Sequence, residues 1–402
     1  MGKKISMALD DITALLAEAK KESHGYVPKL FNLATEQDRA QLKGLLKYGV
    51  IRSVSDDYEE QQRELFAVNN PSLVFAPDFG QRFAVHYEAQ NKAAAAHEQG
   101  TWVYYPWHSA LVHVLPENDY WKVRTARNKN LINAGEQERF YNATLGLGGL
   151  SVGSSIAYAL ALQGGPKRIK LADMDRLALS NTNRVLASSE NLGLLKVEMA
   201  ARRIYEINPY AEVEVFPEGI TKENIERFFE GLDIVVDELD NIAVKYLIRE
   251  QAKKRKIAVV MGADNGDNAV IDIERYDLDP DLKFFHGRLG EVTYEELAAL
   301  DKFGIGKTIT RHIGPENVTV RMQESLLEMG KTIVSWPQLG GAALINGAAI
   351  AYSVRKILNG QPLESNRAVI SLDEKLVPDY FSAAETEKRR KAADVFKKTF
   401  GL

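Results

Sequence analysis

From about residue 121 to 275 the chain alternates short apolar runs with stretches of helical spacing, and this constrains the fold more than any other feature. The runs at 142–148, 168–172, 213–216, 233–236 and 257–261 have the length of strands. Val197, Ala200, Ala201 and Ile204 recur at i, i+3, i+4 and i+7, which predicts a helix over 196–207, stopped by Asn208 and Pro209. A second helix, through Ile156 and Leu160, follows the first strand. Strands alternating with helices imply an α/β fold with a doubly wound, mostly parallel, Rossmann-like sheet.

Two segments flank this unit. Residues 1–120 read as an α+β domain, with helices at 5–20, 41–47 and 58–68 and strands at 72–76, 102–105 and 110–115. Residues 276–402 read as a helical and strand extension. Its first part, 276–335, is rich in glycine and reads as loop. An apolar Gly/Ala stretch over 339–354 is interrupted by Asn346 and too short to span a bilayer, so it reads as a tightly packed buried helix. A strand at 368–372 and a charged helix at 383–398 close the chain.

The candidate chemistry starts at a Gly/Ser loop between the first strand and its helix, containing Gly146, Gly148, Gly149, Ser151, Gly153 and Ser154. Small residues let the backbone approach a phosphate, and the helix N-terminus offers unpaired N–H groups. A glycine-rich strand end packed on a helix would look the same. Asp173 ends the second strand, 24 residues after Gly149, and is followed by Asp175. That spacing suits an acid that accepts ribose hydroxyls. It places the phosphate turn on Gly149, Ser151, Gly153 and Ser154 rather than on Gly146.

NAD-binding folds share those features. Asn181, Arg184 and Lys196 are what a hydride transferase does not need, because cations beside the ribose site serve to offset a triphosphate. Asp240 and Asn241 follow the strand at 233–236, where acids suit Mg²⁺ shared with phosphate oxygens. Any one of these charges alone would read as a solvated loop residue; the joint order and spacing carry the reading.

This order resembles the MoeB/ThiF/HesA family, the adenylation fold of the ubiquitin-activating enzymes. The match runs over about 121–275: the glycine loop, Asp173 and Asp175, Ser180-Asn181 with Arg184, Gly193 with Lys196, then Asp240-Asn241. Upstream, Arg124, Arg127 and Asn128 look like the family's Arg-x-x-Arg-Gln segment. The resemblance implies that Asp173 holds the ribose and Asp175 the ribose or a metal. It gives Asn181, Arg184 and Lys196 to phosphates, Asn241 to the nucleotide, Asp240 to Mg²⁺, and Arg127, or else Arg124, to the partner's site in a homodimer. The implied activity is attack of a carboxylate on the α-phosphorus of ATP. The carboxylate would be a protein or peptide C-terminus or a small acid. Two departures stand out: Ser151 falls where one phase of the fingerprint has glycine, and Val185 replaces the usual Gln after Arg184.

The 402-residue chain has no cysteine. Thiolate zinc sites and a cysteine thioester step are thereby excluded. A formal charge of −4 gives no footprint for nucleic acid. No apolar signal core opens the sequence, and a cytoplasmic location is expected. Gly2 and Ser6 fit the myristoylation pattern only loosely, and chance accounts for a motif so short. His286 and His312 are weaker candidates for the mouth of a site, and structural bonding explains a histidine as well. Trp102, Tyr104, Tyr105 and Trp107 read as strand packing. Three readings remain: a carboxylate-activating adenylyltransferase, a non-catalytic nucleotide-binding relative, and an NAD(P)-dependent oxidoreductase.

Overall fold

The five apolar runs become the parallel half of one sheet. In the computed structural model, which describes residues 25–402, they are β5 (Thr144–Gly148), β6 (Arg168–Ala172), β7 (Glu212–Phe216), β8 (Ile234–Asp237) and β9 (Ala258–Asn265). The expected helix over 5–20 and the Gly2 pattern lie outside the described residues. Two antiparallel strands, β10 (Asn268–Arg275) and β11 (Asn366–Ile370), extend the sheet, giving the order β11-β10-β9-β8-β5-β6-β7. The chain runs outward from β5 to β7, then returns to β8 on β5's other side. The topological switch point therefore lies between β5 and β8, and open α/β sheets bind ligands there, beyond the strands' carboxyl ends.

Both faces of β5 are covered, which is why it reads as a continuous apolar run. Alternation along the strand assigns the faces. A Cβ on Gly146 would press on Phe228 and Leu232, and one on Gly148 on Ile220 and Leu239. Leu147 points the other way, onto Gly153 at the start of α5 (Gly153–Leu162). Helices α5, α6 (Lys196–Ile207) and α10 (Gly340–Leu358) pack together. The Gly/Ala content of α10 has a cause within one chain: a Cβ on Gly347 would strike the Ser155 carbonyl of α5. Helix α7 (Ile242–Arg255) packs with Phe228 and Phe229.

The segment 276–335, expected to be mostly loop, holds a short helix over Tyr294–Ala298 and two longer ones, α8 (Lys302–Ile313) and α9 (Val320–Leu327). Their caps explain the difference. Asp301 accepts the Gly304 N–H at 2.7 Å, and Thr319 accepts the Met322 N–H at 3.4 Å. Gly304 and Gly306 obscured the spacing of Ile305, Ile309 and Ile313. The last helix, α11 (Ala383–Phe400), buries Phe396 and Phe400 with Val270, Ile313 and Met322.

The described residues divide into two compact units between Tyr120 and Trp121. The first carries a four-stranded sheet of β1 (Lys29–Phe31), β2 (Ser53–Asp56), β3 (Thr101–Tyr105) and β4 (Ala110–Val114). Trp102 and Tyr104 are buried in its core, and the His113 ring is stacked between Tyr58 and Trp102 at 4.1 and 4.3 Å. The strand expected at 72–76 is absent. Pro71 opens a 3-10 turn over Pro71–Leu73, and Pro77 follows, so neither end can enter a ladder. Among the described residues no helix is long and apolar enough to cross a membrane.

Candidate functional site

At the switch point, the chain leaves β5 through a tight turn at Gly149–Val152 and enters α5. Gly149 has φ +88°, and a Cβ there would collide with the Glu238 carbonyl oxygen. Only glycine fits such a position. Gly146, by contrast, lies inside the strand, and its missing side chain serves packing. Gly149→Ala is expected to cost at least about 1–2 kcal/mol from left-handed backbone alone, read as a lower denaturant midpoint. An unchanged midpoint would show that the turn has another conformation in solution.

The turn is tied to β6. Gly149 N–H donates to the Ala172 carbonyl at 2.8 Å, and Leu150 N–H to Asp173 Oδ2 at 2.7 Å. Asp173 Oδ1 accepts the Asp175 N–H at 2.8 Å. Lys196, buried at the start of α6, places Nζ 2.8 Å from Asp175 Oδ2 and 3.9 Å from Asp173 Oδ2. Burial pushes the Asp173 carboxyl up, against Lys196 and the two backbone donors. Asp173, Asp175 and Lys196 thus form one linked cluster beside the turn, on its β6 side.

Arg184, further along the segment that follows β6, also joins the turn. Its Nε donates to Ser151 Oγ at 2.9 Å, and Nη1 donates to Asn183 Oδ1 at 2.9 Å and Ser180 O at 3.2 Å. Burial lowers its pKa, while Asp264 and Asp240 favour the cation. Other expected contacts have local duties. Asn181 Oδ1 accepts the Ala178 N–H, and Asn241 Oδ1 caps α7 through the Ala243 and Val244 N–H groups. Ser154 Oγ donates to the Ser151 carbonyl at 2.7 Å, and Gly153 lets α5 sit against Leu147.

A cavity of about 290 Å³ begins at Ser151 and Arg184 and runs over the ends of β8 and β9. Its lining includes Glu238, Asp240, Asp264 and Gln338 and the apolar face of α8. Asp240 is exposed at this cavity. Asp264 accepts from Asn346 Nδ2 at 2.7 Å and Gln338 Nε2 at 3.3 Å. Burial pushes its carboxyl up to about 6, against those bonds and the Arg184 charge. Glu238 accepts the Gly262 N–H at 2.6 Å, and burial raises its carboxyl well above the usual range. Asp173, Asp175, Asn181, Lys196 and Arg127 are not part of this lining.

The comparisons place the sheet and its turn in a family. The ThiF family model matches residues 126–272. The tRNA threonylcarbamoyladenosine dehydratase of Bacillus subtilis is 37% identical over 175 residues, covering 41% of this chain and 68% of that protein. The chain belongs to the ThiF family. An uncharacterized protein of Mycobacterium tuberculosis is 34% identical over 306 residues, 76% of this chain and 42% of that one. The sulfur carrier protein adenylyltransferase of Thermus thermophilus is 35% identical over 131 residues, 32% of this chain and 47% of that one. The chain thus spans about two fifths to two thirds of the length of these relatives.

Within this ThiF-family chain, the cavity residues that the sequence left out of the site include Glu238, Asp264 and Gln338. Asp264 had a visible signal, an acid three residues past the apolar run that ends at Met261. Its importance depends on β9 continuing to Asn265, beyond the expected end. Arg127 sits exposed in a 3-10 turn, Ala126–Asn128, whereas Arg124 Nη2 donates to the Ala161 carbonyl near the end of α5 at 2.8 Å.

Proposed function

We propose that this chain binds ATP with Mg²⁺ and adenylates a carboxylate, releasing pyrophosphate. The observation that carries the reading is the single cavity that joins the Ser151–Arg184 contact to Asp240 and continues over β8 and β9. The ribose acid and Lys196 lie on the β6 side of the turn, so the nucleotide occupies β5 and β6. The cavity on the β8–β9 side then receives the acid to be activated.

In this arrangement the turn Gly149–Val152 and the start of α5 lie against the phosphates, with the Ser151 and Gly153 N–H groups as donors, since those of Gly149 and Ser154 are bonded within the fold. Asp173 holds the ribose, Lys196 with Asp175 closes its edge, and Asn181 and Asn241 hold the segment from Ala178 and α7 in place. Arg184 offsets charge at the α-phosphorus as the substrate carboxylate attacks in line and pyrophosphate leaves. Positioning and charge neutralisation supply such a reaction, without a protein nucleophile. The donor set fits a hard cation at Asp240, an exposed carboxylate close enough to Arg184 to favour its charge. Asp175 fits less well, because its Oδ2 is engaged by Lys196. Bound Mg²⁺ would neutralise the leaving pyrophosphate.

No cysteine is present, so the acyl adenylate passes directly to an external nucleophile. By their names, the relatives act on a tRNA nucleoside and on a sulfur carrier protein. A net charge of −4 favours a protein or peptide C-terminus, or a small acid, over nucleic acid. A homodimer with Arg127 reaching the partner's site completes the proposal; a strict monomer by light scattering would remove that role.

The test is pyrophosphate release from ATP across a panel of peptide and small carboxylic acids. Release that depends on one class of acid is expected; ATP binding with no release across the panel would favour a non-catalytic relative. Asp240→Asn is expected to raise the half-saturating Mg²⁺ concentration about tenfold or more, with folding unchanged. An unchanged Mg²⁺ titration would remove Asp240 from the metal site.

A further inference from the structure

The cavity lining is of mixed character. Polar residues, among them Ser151, Arg184, Asp240 and Lys245, line it together with the apolar Ile242, Met261, Ile305, Ile309 and Ile313, and His312 sits on α8 between these last isoleucines. His312 is 1% exposed, and its Nε2 has no hydrogen-bond partner. Its Nδ1 faces Arg367 Nη2 at 3.4 Å. Arg367 is itself fixed on Asp272 Oδ2, at 2.7 Å from Nη2 and 2.9 Å from Nε.

A guanidinium only donates, so the Nδ1 that faces it must carry the lone pair. The ring proton of neutral His312 therefore sits on Nε2. Burial holds the ring neutral, well below the usual histidine range, and the Arg249, Arg367 and Lys245 charges reinforce it against Asp272. This histidine cannot serve as a base: Nε2 is already protonated and Nδ1 is blocked. What it offers is one unpaired N–H donor on the cavity lining, beside the isoleucines of α8. His286 shows the contrast, since its Nε2 is taken by Asp272 Oδ1 at 2.9 Å. A buried donor left without an acceptor costs about 1–3 kcal/mol, which a ligand's acceptor would recover.

We propose that His312 Nε2–H is a specificity determinant of the acyl half of the site, donating to an uncharged carbonyl oxygen on an otherwise apolar acyl group. The isoleucines of α8 pack the apolar part, and Arg184 stays with the reacting carboxylate. A peptide C-terminus with an apolar last residue has this chemistry: an amide carbonyl lies just behind the activated carboxyl. A simple branched fatty acid lacks the acceptor. The inference rests on the adenylation reading above.

Two stable acyl-adenylate mimics test it on the full chain by calorimetry. One is N-acetylvalyl-sulfamoyladenosine, which carries the amide carbonyl. The other replaces the whole amide with two methylenes, which removes the acceptor without creating a basic amine. The amide mimic is expected to bind tighter by on the order of tenfold to a hundredfold, the equivalent of one recovered donor. His312→Phe should abolish that preference and leave ATP affinity unchanged, while His312→Gln, which keeps a donor, should restore part of it. Equal affinity of the two mimics for the unaltered chain, or a preference that survives His312→Phe, would overturn the assignment while ATP binding stands. Failure of both ATP and the mimics to bind would remove the adenylation reading itself, and this assignment with it. The comparison on the unaltered chain needs no variant to fold.

Discussion

Arg184→Ala is expected to slow adenylate formation by about 10²–10³, the usual loss when one preorganised charge partner of a transition state is removed. Its unfolding midpoint should stay within a few degrees of the parent. Arg184 is held rather than free: Nε is on Ser151 Oγ, Nη1 on Asn183 Oδ1 and Ser180 O. Its side chain ties the phosphate turn to the segment after β6. The charge is half-buried, so each ångström of displacement matters more than at a surface. Arg184→Lys should recover only part of the rate, because an ammonium cannot reproduce the guanidinium fork. The readout is ATP–pyrophosphate exchange with the best carboxylate of the panel. Exchange at the parental rate in Arg184→Ala would place the reacting phosphate elsewhere.

The largest stability effect should come from Arg249, which touches no substrate. It is fully buried, with Nη1 2.6 Å from Asp237 Oδ2 and Nε 2.7 Å from Glu274 Oε2. Lys245 Nζ completes the cluster at 3.1 Å from Asp237 Oδ1. Burial opposes the Arg249 charge, but Glu274 and Asp237 outweigh it and push its pKa further up. Arg249→Met is expected to cost about 3–5 kcal/mol, because it strands two buried carboxylates with one ammonium. Denaturant titration at neutral pH measures it; a loss under about 1 kcal/mol would mean that water reaches the cluster. The pH sign follows from Asp237. Burial alone would raise its carboxyl, but Lys245 and Arg249 hold it below the ordinary value. Its stabilisation is therefore full above the ordinary carboxylate range and is lost as pH falls below it. Asp264 has the opposite sign: with its pKa raised to about 6, the folded chain holds a proton that the unfolded chain has lost, so stability falls as pH rises from about 4 to 6. The cluster also bears on function, since Asp237 directly precedes the Glu238–Asp240 segment of the cavity.

These two residues show how far the sequence could be read. Arg184 belongs to a local motif, and spacing alone placed it with the glycine turn and Asp173. The helix over 196–207 was legible to the residue because its apolar period is uninterrupted and Pro209 ends it. Arg249 gave no signal, because its partners come from β8 and β10, which neighbour it only once the sheet order is known. The same holds for Asp264, Gln338 and His312, which reach one cavity through β9, the α10 approach and α8. Where glycine broke the spacing, in α8, a helix was read as loop. Where prolines bounded an apolar run, at 72–76, a turn was read as strand. Asn241 was read as a ligand contact although an Asn directly before a helix is an ordinary N-cap.

Thermal unfolding of the full chain with ATP–Mg²⁺ and, separately, with NAD tests the nucleotide site most directly. At about 100 times its dissociation constant a ligand stabilises by about 2.7 kcal/mol, which moves the midpoint by several degrees. ATP–Mg²⁺ should produce that shift, Arg184→Ala combined with Asp240→Ala should diminish it, and NAD should produce none. Stabilisation by NAD with none by ATP–Mg²⁺, or an ATP shift untouched by the double variant, would contradict the site placed at Ser151, Arg184 and Asp240.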